Sequence, residues 1–329
     1  MHLHKFVALA AVLLATACGQ KLKPEEVRHA MPVASVLEIT APNPNGAAAN
    51  LAGDGGPLLA VAPVAGGRSP LAVSSWLFAA AVNGGVVWTL ARITWFTQAV
   101  PPTSCDTDSC TWGPGRGAAD LNAWKLVVTR AGDAYDYTLS GAPASTGGTH
   151  FVPVISGRAW AGALPNRGHG TFHADFDAVW AGLDHAAGEV QKDFGTIAVD
   201  YDARVDVALD VTFLDSRNGD DPGLDPANPN RLNAVYAFTA GPTGGDLQVG
   251  WHTLPAGATE KRAALHTRWL AGSGGRAEAA FATTGATLGF TECWDGPPGY
   301  LMTFDGLAGT GAESACVFPT AAPPTIAIP

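Results

Sequence analysis

Charge is scarce in this chain. Only 15% of its 329 residues are Asp, Glu, Lys or Arg, and the formal net charge is -10. An acidic balance of that size argues against a nucleic-acid partner and against an electrostatic grip on anionic lipid. Several catalytic signatures are missing as well. No Gly-x-Ser-x-Gly elbow is present, and Gly272-Ser273-Gly274-Gly275 lacks the strand-to-helix context, so it reads as a flexible turn. Phosphate-binding glycine motifs and internal repeats of fixed period are absent too. Hydrophobic residues make up 47% of the chain, enough to bury a sizeable core.

The first 17 residues read as a secretory signal. His2, His4 and Lys5 stand at the front, an apolar stretch runs from Phe6 to Leu14, and small residues follow. Its end, Ala15-Thr16-Ala17-Cys18-Gly19, resembles the lipobox of bacterial lipoproteins. That resemblance implies acylation of Cys18 as the mature N-terminus. It also implies the outer membrane, because the residue after the cysteine is not aspartate. An ordinary signal cut near Ala17 is the alternative and would leave Cys18 a spare thiol. More than one acyl chain gives stable attachment, where a single chain would be marginal. Loss of Lys5 with the signal makes the chain one unit more acidic.

Four cysteines remain, Cys105, Cys110, Cys293 and Cys316. An even number in an exported chain reads as two disulfides. Of the three pairings, the near-neighbour one, Cys105–Cys110 with Cys293–Cys316, is preferred. A zinc site is the rival, but the cysteine spacings are wrong for common zinc modules.

Residues 18–33 suit a lipid-anchored tether, residues 34–318 a single β-rich domain, and 319–329 a loose tail rich in Pro and Ala. Ser69-Pro70 looks like a helix entrance, serine as N-cap and proline in the first turn. The helix then runs over about 70–98, with Asn83-Gly84-Gly85 bending or dividing it. No charge falls between Pro70 and Ala91, so a membrane span is weighed against a helix buried in protein. Its aromatic and branched residues spread all round, while Ser74, Ser75, Asn83 and Thr89 dilute the apolar character. Burial in protein is the preferred reading.

Beyond the Cys105–Cys110 loop the period becomes two. Trp124/Leu126/Val128 and Tyr135/Tyr137/Leu139 flank a turn at Ala131-Gly132-Asp133 and predict a hairpin. Pro153 makes the next strand an edge or a bulge. Alternation then predicts a strand through Phe172, Ala174, Phe176 and Ala178. Tyr201 and Val205 share parity across a three-residue loop, Asp202-Ala203-Arg204, which keeps every apolar side chain on one face. Further strands fall near 233–240, 246–253, 262–270, 276–283, 286–292 and 299–305. The fold class is therefore α+β, mostly β: a curled antiparallel meander or barrel-like sheet packed around one long apolar helix. A transmembrane barrel with the Asp face lining its lumen fits the alternation alone, but an anchored protein has no need of it.

The best metal-like cluster is His169, His173, Asp175 and Asp177; the last three would share a strand face about 6.5 Å apart, too wide for one ion without a bulge or help from Asp200, Asp206, His252 or His266. A solvated outer face has the same look. The loop from Asp215 to Asp225 offers oxygens for calcium, but Leu214 and Ser216 occupy ligand positions when Gly219 is aligned to the EF-hand turn glycine. Asx-rich turns usually need only their own backbone bonds.

Thr111-Trp112-Gly113-Pro114 and Phe151-Val152-Pro153-Val154-Ile155-Ser156-Gly157, together with the Trp-rich helix, resemble lipoproteins of the kind common in myxobacteria. That resemblance transfers no activity and no functional residues. The expectation is a lipid-anchored cell-envelope lipoprotein with a non-enzymatic structural or binding role and no cofactor. A carrier or chaperone of an apolar ligand is the second reading, and a metal-dependent hydrolase using His173, Asp175 and Asp177 the third. The membrane, through the N-terminal lipid, is the expected partner, with an apolar ligand or an envelope protein beside it.

Overall fold

The computed structural model describes residues 21–39, 41, 67–116, 120–189, 191, 193–218, 231–254, 261–283, 286–296 and 300–321. Among these residues two helices come first, α1 (Pro24–Ala30) and α2 (Pro70–Thr94), the latter closing in a π turn over Trp95–Ala99. Fifteen described strands follow in one sheet whose spatial order is the chain order. They are β1 (Ser104–Cys105), β2 (Ser109–Gly115), β3 (Asn122–Ala131), β4 (Ala134–Pro143), β5 (Val152–Leu164), β6 (Arg167–Asp175), β7 (Asp193–Asp202) and β8 (Val207–Asn218). The remainder are β9 (Arg231–Gly241), β10 (Gly244–Leu254), β11 (Lys261–Leu270), β12 (Gly274–Thr283), β13 (Ala286–Trp294), β14 (Met302–Asp305) and β15 (Thr310–Gly311). A third helix, α3 (Phe176–Gly182), interrupts the meander between β6 and β7.

The sheet is open, with β1 and β15 at its two edges, and does not close as a barrel. Both edge strands are two residues long, which limits the unpaired backbone they present. Strand alternation points Leu126, Val128, Leu139, Phe172, Val199, Val211, Phe238, Val249 and Leu265 to the buried face, where α2 lies. The Asp and His residues of the alternating runs fall on the other face. The Asp face is thus solvent-facing, the reverse of a lumen; the side that holds α2 is called concave and the Asp side convex.

Ser69 caps α2 as its sequence suggests, accepting from the Ala72 amide with Pro70 in the first turn. The helix is not divided at Asn83-Gly84-Gly85, one of the two outcomes expected there. Asn83 explains one part of this. Its side-chain amide accepts from Ile39 N at 2.7 Å and donates to Ile39 O at 2.9 Å, tying the preceding segment to the helix. Gly85 faces β7 and β8, where a Cβ would meet Ile197 Cδ1 at 3.4 Å and Phe213 Cζ at 3.6 Å, ordinary van der Waals contact.

Residues 21–33 are not a tether. Leu22, Val27, Ala30 and Met31 are buried, and Leu37 and Ile39 follow them into the core. Leu22 N donates to Asp106 O in the β1–β2 turn, and Asn166 Nδ2 donates to the carbonyls of Arg28 and Met31. Pro153 sits at a bulge in β5 rather than on an edge, since Leu139 pairs with Ile155 and Ser140 with Pro153. Tyr201 pairs with Leu209 across a longer loop than expected, and Val205 is 81% exposed instead of inward. Leu288, of the same parity as the core-packed Phe290 in the strand predicted near 286–292, is 69% exposed.

Both disulfides form with the near-neighbour pairing, Cys105–Cys110 and Cys293–Cys316. The second draws the C-terminal segment over the convex face of β11–β13. There Pro319 O accepts from Arg268, and Ala321 N donates to Glu278, so the first residues of the expected loose tail are pinned. Residues 322–329 lie outside the described residues.

Candidate functional site

The metal-like cluster does not assemble as the alternation suggested. The strand expected to reach Ala178 ends at Asp175, whose carboxylate accepts from Ala178 N and caps α3. Asp177 then lies in the helix and turns to Gln191 Nε2 and Gly195 N. His173 stays behind on the convex face of β6. Ring stacking on Trp160 at 4.9 Å occupies His169. His266 pairs with Asp246 at 2.9 Å, and Asp206 is exposed at the β7–β8 turn. Among the described residues, no three His, Cys, Asp or Glu side chains are grouped to hold a metal ion. Asp215 and Ser216 belong to β8, and the rest of the candidate calcium loop, from Gly219 to Asp225, lies outside the described residues.

A groove of about 400 Å³ opens on the convex face, lined by Ser156, Thr171, His173, Asp200, Asp210 and Thr212. The ladder places Ser156 opposite His173 and Asp200 opposite Asp210. Burial, and then the neighbouring Asp200 carboxylate, raise the pKa of Asp210. Among the described residues no hydrogen bond joins Ser156 to His173, so the pair is not the linked nucleophile and base that acyl transfer requires. The hydroxyls and carboxylates of the groove can accept hydrogen bonds from a polyol or an ammonium group.

The polar groups that α2 meets are inside the sheet, and the sequence reading missed them. Glu292 points to the concave side of β13, accepting from Ser69 Oγ at 2.6 Å and Leu71 N at 2.9 Å. A carboxylate at a helix N-terminus satisfies free amides and complements the helix dipole. Burial raises the pKa of Glu292, opposed by its two hydrogen bonds and assisted by Asp305. Asp305, its partner across the ladder, is only 2% exposed, and its Oδ1 accepts from Leu307 N and Ala308 N. One turn into the helix, Ser75 Oγ meets Leu71 O at 2.7 Å and Thr267 Oγ1 at 2.6 Å. The signal for Glu292 was available, a single acid sharing the parity of Phe290 and Trp294, which pack inward.

The other side of α2 has a different character. Ala80, Ala81, Gly84, Val87, Ala91 and Trp95 are exposed along one stripe, Val87 at 45% and Trp95 at 53%. At 3.6 residues per turn these positions fall together, opposite the buried Val82, Val86, Leu90 and Ile93. Pro70–Ala99 is long and apolar enough to cross a membrane by length and composition, yet one side of it is packed into the sheet.

The site and the fold together define an open fifteen-stranded antiparallel meander with a long apolar helix laid along its concave face. Compared with known families, curated proteins and solved structures, the chain matches none.

Proposed function

We propose that this chain is a lipid-anchored cell-envelope protein, held through Cys18 at the outer membrane, whose domain binds or scaffolds rather than catalyses. One observation carries the reading. The other four cysteines pair with one another, so Cys18 has no cysteine partner within the chain, and it ends a signal-like segment. The two disulfides also suit an oxidising compartment. A binding or scaffolding role is supported by the polar contacts around α2, which are structural bonds between the helix and its neighbours. Glu292 caps the helix, Thr267 bonds Ser75, and Asn83 bonds Ile39. A carrier would need space for its ligand on that face, which α2 and residues 22–39 occupy.

The test is mass spectrometry of the mature N-terminal peptide from membranes, beside the Cys18→Ser variant. The expected result is a wild-type peptide beginning at Cys18 with acyl chains, and a variant released from the membrane fraction. An unmodified terminus would sink the proposal.

A further inference from the structure

The exposed stripe of α2, from Ala80 to Trp95, carries no charge over about 22 Å of helix, and its one side-chain polar atom is the Trp95 indole N–H; Arg92 lies beside it, paired with Asp120. Half-buried Val73, Trp76 and Leu77 continue it toward the N-terminus. A soluble helix over a sheet normally turns polar residues to water. Here both sides are apolar, and a continuous exposed apolar strip marks a contact surface.

The place of the N-terminus says what the contact is. Leu22 is 1% exposed and its amide is bonded to Asp106 O, so the fold begins four residues after Cys18. Even fully extended, four residues span only about 14 Å. Acyl chains on Cys18 would leave no slack to lift the domain off the bilayer. The helix that follows directly, α1, sits against the C-terminal end of the stripe. Arg28 Nε donates to Thr97 O at 2.6 Å, and exposed Lys21 and Lys23 precede α1. Anchor and stripe therefore share one end of the molecule.

We infer that the exposed side of α2 lies in the lipid interface, with Val87, Ala91 and Trp95 dipping among the headgroups while the opposite side holds the sheet. This rests on the acylation of Cys18 proposed above. A helix with one side in the acyl boundary binds in proportion to its buried apolar area, and Trp is suited to the headgroup level. The overall negative charge supplies no long-range attraction, so the short anchor and the apolar strip provide the contact. The sheet stays outside the membrane.

The test uses the full, membrane-extracted chain in vesicles of phosphatidylethanolamine and phosphatidylglycerol. Single nitroxide labels are placed at Val87→Cys, Trp95→Cys and, as a control on the convex face, Thr171→Cys. Accessibility to oxygen and to a water-soluble nickel chelate is read by power saturation. The expected result is lipid-like accessibility at 87 and 95 in vesicles, high to oxygen and low to the nickel chelate, with 171 remaining water-like. Labels at 87 and 95 that stay in water, on a chain whose Cys18 carries acyl chains by mass spectrometry, overturn the docking and leave the anchor standing. Labels shielded from both reagents point to a protein on the stripe and likewise overturn it. An unmodified Cys18 removes the anchor and this inference with it.

Discussion

The two faces of the sheet handle polar side chains in opposite ways. On the concave face Glu292 and Thr267 are buried and bonded to α2. The convex face has many, mostly wet and paired with near neighbours, such as Arg158 with Asp136 and Arg204 with Asp202. Arg204 holds the Asp202 carboxyl down to about 2, the hydrogen bond to its guanidinium being the largest cause. One region of the convex face breaks the rule. Where the C-terminal segment crosses β12, Arg276 and Glu278 are each 1% exposed, and Glu313 reaches Arg276 Nη2 at 2.5 Å. Identity of charge therefore says little about its energetic role; the water removed from around it decides.

That contrast predicts where substitution hurts most. Glu278→Ala leaves Arg276 buried with only exposed Glu313 as a carboxylate partner and takes an acceptor from Arg268 and Ala321. The expected loss of unfolding free energy is about 3 kcal/mol or more, read by denaturant titration. Glu292→Ala comes next, at about 2–3 kcal/mol, because Ser69 Oγ and Leu71 N lose a buried acceptor. Its pH dependence carries a definite sign. Burial raises the folded pKa of Glu292 above 4.5, so the folded state holds that proton more tightly than the unfolded chain. This part of the stability is complete below pH 4.5 and is lost as pH rises through the raised folded value. Unfolding free energies of wild type and Glu292→Gln, compared across that interval, should change in favour of the variant as pH rises. A constant difference would mean Glu292 titrates as it does in the unfolded chain.

The periodic parts of this architecture were legible and the capping parts were not. Alternation along β3, β4 and β7 to β12 places the concave set, because a one-residue slip would turn Tyr201 or Val249 to water. Ser69-Pro70 marks the helix start, and the cysteine spacing finds both disulfides. Phe176-Asp177-Ala178 fits either period for three residues, and the carboxylate of Asp175 decides for helix by capping α3. Residues 21–33 look like a tether because their few apolar side chains are buried by distant turns at Asp106 and Asn166, which no local pattern reveals. For the candidate site the limit is similar. His173, Asp175 and Asp177 share a strand face on paper, but the end of β6 sends them in different directions.

Smaller effects sharpen the same comparison. Ser75 Oγ has one proton and a carbonyl acceptor in Leu71 O, so Thr267 is the donor between the two hydroxyls. Ser75→Ala then strands a buried Thr267 hydroxyl, at about 1–2 kcal/mol. Thr267→Val leaves the Ser75 bond to Leu71 intact and should cost less, about 0.5–1 kcal/mol. The double variant should cost less than the sum of the two, as a thermodynamic cycle on urea melts would show. Additivity would mean the hydroxyls do not sense each other.

At the bottom of the scale stands the convex pair Asp136–Arg158, joined at 2.5 Å with side chains 45% and 47% exposed. Its geometry is as close as any pair on the concave side, and Arg158 lowers the pKa of Asp136 through that hydrogen bond. If proximity governed stability, Asp136→Asn would rival Ser75→Ala. If desolvation governs it, the substitution should leave the unfolding free energy unchanged within the scatter of replicate melts, because water solvates either charge once the partner is gone. Added salt should then also leave the wild-type and Asp136→Asn curves together. A loss as large as that of Ser75→Ala would show that the convex face is less wet than its exposure implies, and the contrast between the two faces would fail.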